Sequence, residues 1–226
     1  MSIGRDPMLL FAVGLSIVPS VALALVQVRL DEAAANAFGI TTISRFVVPV
    51  ALMIPAMLIG WVTGFLLLED RDEGLISALS VTPVGKVGYL AYRVAATALI
   101  TAAITVMATL LLLPQAPWFQ HGLLALLIGC EAVLVAVVLP AVARNKVEGL
   151  AVTKLANIAG AVPLLAILAT PWRFLAGIVP SFWIGELLGL SDGPSLPMLL
   201  TTALAVVTHV AAVLLLFVMF SRRLAQ

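Results

Sequence analysis

The sequence has 226 residues, of which 63% are hydrophobic and only 10% are charged. A soluble domain carries about 25% charged residues, so this composition excludes an ordinary soluble protein and indicates an integral membrane protein. The formal net charge of +1 provides no basic surface for nucleic acid. The single cysteine, Cys130, excludes both an internal disulfide framework and a cysteine-based metal site.

Long uncharged runs follow one another along the chain, each close to the ~20 residues that cross a hydrocarbon core. Backbone groups in lipid must bond internally and these runs lack the alternation of barrel strands, so they predict helices. We therefore predict an all-α protein with a single membrane domain over residues 1–226. Ala22-Leu23-Ala24 also resembles a signal-peptidase site, but a full-length first span is the simpler interpretation. The six predicted spans are residues 8–28, 46–68, 94–113, 122–143, 155–172 and 198–220.

A shorter apolar run, residues 174–185, lies between the fifth and sixth spans. It has 12 residues and is interrupted by Pro180, so it is too short to span. We predict a re-entrant or interfacial helical hairpin at this position.

Lys and Arg residues indicate the orientation, because they accumulate in cytoplasmic loops. With the N-terminus in the cytoplasm, Arg29, Arg45 and Arg173 lie outside. The other nine of the 12 basic residues lie inside, namely Arg5, Arg71, Lys86, Arg93, Arg144, Lys146, Lys154, Arg222 and Arg223. Trp118, Trp172 and Trp183 are then expected near the outer interface, as in an aromatic belt. This bias predicts that both termini are cytoplasmic.

Residues 69–93 form the longest interruption between apolar runs, and their first five residues hold four of the chain's 11 acids. Gly74 interrupts the helical pattern after these acids. Leu75, Ile76 and Leu79 are expected to share one face of a short helix that Pro83 ends. The residues alone predict a short helix across the base of the second and third spans. They leave its role open: an interfacial helix with solvated acids, or a place where something outside the membrane binds the protein.

The segment Asp70-Arg71-Asp72-Glu73-Gly74, followed by Leu79 and Thr82-Pro83, resembles a known signature. This is the E-R-E-x-G-T-x-x-x-L-x-x-T-P motif of ABC transporter permeases of the type-2 exporter family. Ile178-Val179-Pro180 is similar to the hydrophobic-Pro element of that family's hairpin before the last span. Small fluoroquinolone-export permeases are similar in length and layout. Leu75 departs from the motif, which has Thr at that position.

The resemblance implies that the segment between spans two and three is a coupling helix that docks on a cytoplasmic ATPase subunit. ATP and Mg would be bound by that partner, and no cofactor is expected on this chain. A second permease protomer and the lipid of a bacterial plasma membrane are the other implied partners. Arg144 and Lys146 are either a second docking point or a contact with lipid headgroups. The implied docking residues are Asp70, Asp72, Glu73, Gly74, Leu75, Leu79, Thr82 and Pro83.

Glu131 is the most unusual residue inside a span, because a charged carboxyl at mid-membrane costs about 2.5–3.5 kcal/mol on insertion scales. It is either a site for a cationic substrate or a protonated carboxyl that bonds between helices, with His209 as a candidate partner. His209 is otherwise expected to be a hydrogen-bonded core histidine. Spans two and five line the central path in the resembling family, so Trp61, Thr63, Thr153 and Asn157 are candidates for the substrate path by resemblance.

The sequence lacks the G-x-x-x-x-G-K-[ST], H-E-x-x-H and G-x-S-x-G motifs, and no catalytic or metal-binding residues are predicted. We expect a permease subunit of an ABC exporter that moves drug-like amphiphiles by alternating access. Two alternatives are a non-ABC transporter or membrane enzyme that uses Glu131 and His209, and an accessory membrane-anchoring protein.

Overall fold

The computed structural model describes residues 7–40, 42–79 and 85–224, and every regular element in these ranges is helical. The predicted all-α fold is therefore confirmed. Two 3₁₀ segments, Asn157–Ile167 and Pro171–Ile178, lie between the sixth and seventh helices. The helices are α1 (Pro7–Phe38), α2 (Ser44–Asp72), α3 (Leu75–Ala78), α4 (Gly85–Leu112), α5 (Trp118–Val142), α6 (Lys146–Ala156), α7 (Phe182–Leu187) and α8 (Met198–Leu224).

Six helical stretches in the described ranges are long and apolar enough to cross a membrane, which confirms the predicted number of spans. They are α1, α2, α4, α5, α6 together with the first 3₁₀ segment, and α8. The fifth stretch, Lys146–Ile167, begins upstream of the predicted start at residue 155. The reason is local: the Asn145 side chain accepts from the Glu148 backbone N–H at 2.9 Å, so the helix begins within a charged stretch.

Helix α5 is the centre of the bundle. In its most apolar 18-residue window 72% of residues are buried, compared with 28% in α1 and 17% in α8. Helices α2, α4 and α8 all pack against it. The apolar faces that α1 and α8 leave exposed are suited to lipid or to another protein chain, since neither face needs water.

Two glycines allow α2 to approach α5 closely. A Cβ atom added at Gly60 would lie 2.7 Å from the Val135 Cβ, and one at Gly64 would lie 2.9 Å from the Ala136 carbonyl oxygen. Real Cβ atoms do not approach neighbours this closely, so only glycine fits at this crossing. The G-x-x-x-G spacing in the second span thus packs two helices of the same chain against each other.

The fifth span changes from α-helix to 3₁₀ winding because of Pro163. Proline has no N–H, so in an α-helix the carbonyl four residues earlier, that of Ala159, would lose its partner. Here the Ser181 hydroxyl donates to the Ala159 carbonyl at 2.8 Å. Gly185 of α7 also contacts the Pro163 carbonyl so closely that an added Cβ would clash. The short helix α7 is therefore fitted to the altered backbone of the fifth span.

The segment between the fifth and sixth spans is held by a buried ion pair. Arg173 Nε lies 2.6 Å from a Glu186 carboxylate oxygen, and the guanidinium also donates to the carbonyls of Leu168 and Pro194. The predicted helical hairpin corresponds to two short helical pieces, Pro171–Ile178 and Phe182–Leu187, joined by a turn. Trp183 differs from the sequence expectation: it is 5% exposed and donates Nε1–H to the Gly177 carbonyl, whereas Trp118 and Trp172 are exposed. Its ring packs on Phe174 and Phe182 inside the protein.

At the end of the bundle that holds this segment, an exposed contact connects α2 to the chain before α8. The Arg45 guanidinium donates to both carboxylate oxygens of Asp192 at 2.9 Å. The hydrogen bond from Arg45, and then its positive charge, lower the pKa of Asp192 below its ordinary value. Close by, both carboxylate oxygens of Asp31 accept bonds from Ser44 at the start of α2.

Candidate functional site

The candidate site is the opposite end of the bundle, which we call the charged end. It consists of the last turns of α2, the short helix α3, the first turns of α4 and α6, and the end of α5. Gly74 adopts a φ of +74°, which non-glycine residues rarely adopt, and so allows the chain to leave α2 and turn into α3. The C-terminal turn of α2 is closed by a bond from the Glu73 N–H to the Glu69 carbonyl.

Ile76 anchors α3 to the bundle. It is 1% exposed and packs in a cluster with Leu67 of α2, Leu90 of α4 and Phe220 of α8. Leu75 is 43% exposed, so the expectation that Leu75 and Ile76 share a face is wrong. Adjacent helical residues point about 100° apart, and the buried cluster takes only Ile76. One turn thus has one residue fixed in the core and its neighbour facing outward.

Three consecutive residues at the end of α2 each bind a different helix. Glu69 accepts from the Lys146 ammonium of α6 at 2.7 Å. Asp70 binds α4, and Arg71 binds the end of α5. Successive positions on a helix diverge by about 100°, so three neighbours are enough to reach three surrounding elements. The last turn of α2 is therefore the junction of the charged end.

Asp70 faces inward. Its carboxylate lies 3.1 Å from Arg93 Nη2, and the two side chains are only 13% and 8% exposed. The Tyr89 hydroxyl donates to the same carboxylate oxygen and accepts from Arg93 Nε at 2.8 Å. Arg93 also lies over the Tyr89 ring, 5.4 Å from its centroid. Removing one partner of such a buried pair leaves an uncompensated charge and costs roughly 3 kcal/mol.

Arg71 caps the end of α5. Its Nη1 donates to the carbonyls of Pro140 and Ala143 at 2.9 and 3.0 Å, and its Nη2 donates to the Arg144 carbonyl at 3.0 Å. The last carbonyls of a helix have no partner within it and carry partial negative charge. A planar guanidinium can meet several of them at once, which an ammonium cannot do with the same geometry.

The predicted docking residues divide into those that face inward and those that remain accessible. Asp70 is engaged within the chain, and Lys146 is paired with Glu69 although its side chain is 55% exposed. Thr82 and Pro83 lie outside the described residues. Accessible at the charged end are Asp72, Glu73, Leu75 and Arg144, with Gly74 and Leu79 partly exposed.

The predicted substrate-path residues of spans two and five do not form one cluster. The Trp61 indole N–H donates to the Asn157 side-chain oxygen at 2.8 Å, which joins the second and fifth spans. The hydroxyls of Thr63 and Thr97 lie 2.9 Å apart in a buried contact between α2 and α4. Thr153 donates to the Leu150 carbonyl within its own helix. The structure therefore brings Trp61 and Asn157 together but places Thr63 on another side of α2.

Glu131 and His209 lie together inside the bundle. A Glu131 carboxylate oxygen is 3.2 Å from His209 Nε2, and both side chains are at most 5% exposed. His209 Nδ1 is 2.7 Å from the Ala205 carbonyl oxygen. The two facing atoms are at ion-pair distance but do not meet hydrogen-bond angles. The pair connects α5 to α8, and in the described ranges no cluster of three or more potential metal ligands surrounds it.

The residues that sequence reasoning missed are those that hold the charged end together: Arg71, Ile76, Tyr89 and Arg93. In the sequence, Arg93 contributes only to the charge balance across the membrane, and Arg71 contributes to that balance and to the signature segment. A signal was present for two of them, because Tyr89 and Arg93 are four residues apart at the start of an apolar run and so share a helix face. Their acidic partner, 23 residues away from Arg93 in sequence, required the tertiary structure.

Comparison with known proteins adds independent findings. The profile of a family described as "Fluoroquinolones export permease protein Rv2686c-like" matches residues 1–218. Two relatives from Mycobacterium tuberculosis are the fluoroquinolones export permease proteins Rv2686c, of strain H37Rv, and MT2760, of strain CDC 1551. Each is 29% identical over 193 residues, which cover 80% of this chain and 75% of the relative. No solved structure matches the chain.

Proposed function

The chain belongs to the Rv2686c-like family of fluoroquinolones export permeases, and from this we propose that it is the transmembrane subunit of an ATP-driven exporter of drug-like amphiphiles. The relatives' names supply the substrate class. ATP hydrolysis takes place on a separate cytoplasmic subunit. The chain itself carries out no bond chemistry, and its contribution is a path across the membrane together with a point at which the ATPase acts.

The observation that carries this proposal is the construction of α3. Its Leu75, and Glu73 two residues before it, face outward, while Ile76 belongs to a buried cluster with residues of α2, α4 and α8. A protein that binds the outward residues and moves would therefore move a turn that already contacts α2 and α4 and shares a buried cluster with α8. Such a turn suits a coupling element better than a solvated loop, because a flexible loop can move without displacing the spans.

The contacts of Glu69, Asp70 and Arg71 extend this transmission to α6, α4 and α5. In our proposal Asp70 positions the docking segment, and Asp72, Glu73, Leu75 and Arg144 contact the ATPase. Thr82 and Pro83 complete the segment in sequence. Movement of α3 rocks these spans together, because packed helices shift as rigid bodies rather than deform. The path then alternates between opening inward and opening outward.

The assembly we propose has two permease protomers, either identical or homologous, and two ATPase subunits. It lies in the bacterial plasma membrane with both termini of this chain and the charged end in the cytoplasm. Support for a second protomer comes from the fifth span, of which only 12% is buried in its apolar window and which presents Asn157 and Thr153 at its surface. Polar groups on a span are best covered by protein or water.

Co-purification tests the docking segment. We expect the wild-type chain to retain an ATPase when both are expressed together and purified in mild detergent. Glu73→Lys and Leu75→Glu should each reduce the retained ATPase at least about fivefold, because a charge reversal or a buried charge at an interface costs ~1 kcal/mol or more.

Glu32→Lys is the matched control, since it reverses an exposed acid on α1 near the opposite end of the bundle. It should leave the amount of retained ATPase unchanged. Equal retention by Glu73→Lys, Leu75→Glu and the wild type would show that α3 is not the docking element. Absence of any ATPase from the wild-type complex would contradict the ABC assignment itself.

A further inference from the structure

A groove at the charged end lies between the start of α1, the last turns of α2 and the start of α6. Its volume is about 360 Å³. The walls are apolar, and Glu69 and Lys146 lie at one end; the apolar wall residues are Met8, Val62, Phe65, Leu66 and Leu150. Pockets for drug-sized ligands have volumes of roughly 300–1,000 Å³ and combine apolar walls with a few polar groups. The groove therefore has the size and the polarity of a site for a small amphiphile.

The charges around the groove favour a cation. Glu69 and Lys146 neutralise each other at 2.7 Å, and both remain partly exposed, at 39% and 55%. The negative charges of Glu73 and Asp72 also act on the Lys146 ammonium. Arg71 is bound to Asp72 and to the end of α5. The charges that act on the Lys146 ammonium are those of Glu69, Glu73 and Asp72, which are all negative.

We propose that this groove binds a cationic amphiphile of drug size, with its apolar body between α2 and α6 and its positive group beside the Glu69 carboxylate. Lys146 competes for that carboxylate and so limits the affinity. The site differs from the predicted substrate path, since Trp61 and Thr63 do not line it. The inference rests on the proposed function, because it names the substrate class and an entry site for the same exporter.

Binding of a ligand at this site would change the contacts beside the docking segment. Glu69 is adjacent to Asp70 and Arg71, which bind α4 and α5. A ligand cation that takes over Glu69 releases Lys146 and thereby the ion pair between α2 and α6. The junction at the end of α2 then changes directly beside α3, so substrate binding and the ATPase contact share one turn of helix.

Equilibrium binding of two ions of the same shape tests the proposal on the purified permease alone, without ATPase or ATP. Tetraphenylphosphonium is a permanent cation, and tetraphenylborate is its anionic counterpart. Glu69→Gln should weaken phosphonium binding about three- to fivefold, and Lys146→Gln should strengthen it by a similar factor, as for a partly exposed ion pair. For the borate ion, Glu69→Gln should strengthen binding and Lys146→Gln should weaken it. Leu150→Trp, which fills the groove from an exposed position, should weaken both ions.

If the ion pair were only structural, Glu69→Gln and Lys146→Gln would both break it and would shift phosphonium binding in the same direction. That result would overturn the proposal, and so would unchanged binding of both ions to Leu150→Trp. Thermal melting of each variant confirms that it is folded before binding is measured. Because no ATPase is present, a negative result concerns this site and leaves the docking of an ATPase to its own test.

Discussion

Glu131 and His209 show how a carboxyl group is tolerated in the middle of a bundle of apolar helices. His209 Nδ1 lies 2.7 Å from the Ala205 carbonyl oxygen, so this nitrogen carries a proton and donates. His209 Nε2 then faces the Glu131 carboxyl at 3.2 Å, and both side chains are buried. Each polar group has the other as its neighbour in an otherwise apolar interior, which reduces the cost of burial.

Glu131→Gln should therefore preserve the fold, because a glutamine amide keeps a polar group of nearly the same shape beside His209 Nε2. Glu131→Leu should lower the thermal midpoint, since it removes the polar group 3.2 Å from Nε2 and leaves that nitrogen in apolar surroundings, at a cost of about 1–3 kcal/mol. Thermal melting of the two variants in detergent measures the difference. Equal midpoints would mean that the pair contributes nothing to stability. Export of cationic drugs by the folded Glu131→Gln variant then tests the substrate-path role.

At the scale of elements, α2 organises the charged end and the centre of the bundle together. Its middle packs on α5 through Gly60 and Gly64, and its last turn reaches α4, α5 and α6 through consecutive side chains. Close packing in the middle fixes the rotation of α2 about its axis. That rotation decides where the side chains of the last turn point, so the glycines control the geometry of the junction at the charged end.

Gly60→Ala tests this dependence. The added Cβ would lie 2.7 Å from the Val135 Cβ and 2.8 Å from the Ala132 carbonyl oxygen, so α2 and α5 must separate. Overpacking of this kind costs about 1–3 kcal/mol, and we expect a clear drop in the thermal midpoint. Gly14→Ala is the control, because an added Cβ at Gly14 meets nothing within 4 Å. It should be neutral or slightly stabilising, since alanine is the better helix former. Equal effects of the two changes would contradict the close approach.

At the scale of the whole molecule, the two ends of the bundle use charge differently. The end that holds Arg45 and Asp192 has few basic residues, and Arg45 and Arg173 are both paired with acids there. The charged end combines many acids and bases in a network that extends over four helices. This asymmetry agrees with an orientation in which the charged end is cytoplasmic, because basic residues are retained on that side.

Labelling of introduced cysteines tests the orientation, starting from the Cys130→Ala variant, which has no other cysteine. Ser195→Cys is exposed near the Arg45 end, and Arg144→Cys is exposed at the charged end. A membrane-impermeant maleimide should label the cysteine at position 195 in intact cells. It should label the cysteine at position 144 only after the membrane is permeabilised. The reverse pattern would show that the chain is inserted the other way round.

The number of spans could be predicted from sequence because each is a long apolar run with at most one charged residue, and length and hydropathy can be read directly from the sequence. The contacts of the charged end could not. Asp70 and Glu73 are similar acids three residues apart, yet one is enclosed by Arg93 and Tyr89 and the other is exposed. Their difference depends on which face of α2 meets α4. The sequence likewise could not show that Trp183 is buried, because an aromatic residue suits a protein core as well as a membrane interface.

The 3₁₀ winding of the fifth span makes part of that span longer than an α-helix with the same number of residues. Its segment Asn157–Ile167 has 11 residues, which extend roughly 22 Å at a 3₁₀ rise but only roughly 16 Å at an α-helical rise. Pro163 and the bond from Ser181 to Ala159 hold the longer form. Compared with an α-helical fifth span, this winding places the segment with Arg173 and Glu186 about one helical turn farther from the charged end. The fifth span thus acts as a spacer, and its winding sets the distance between the charged end and the segment with Arg173 and Glu186.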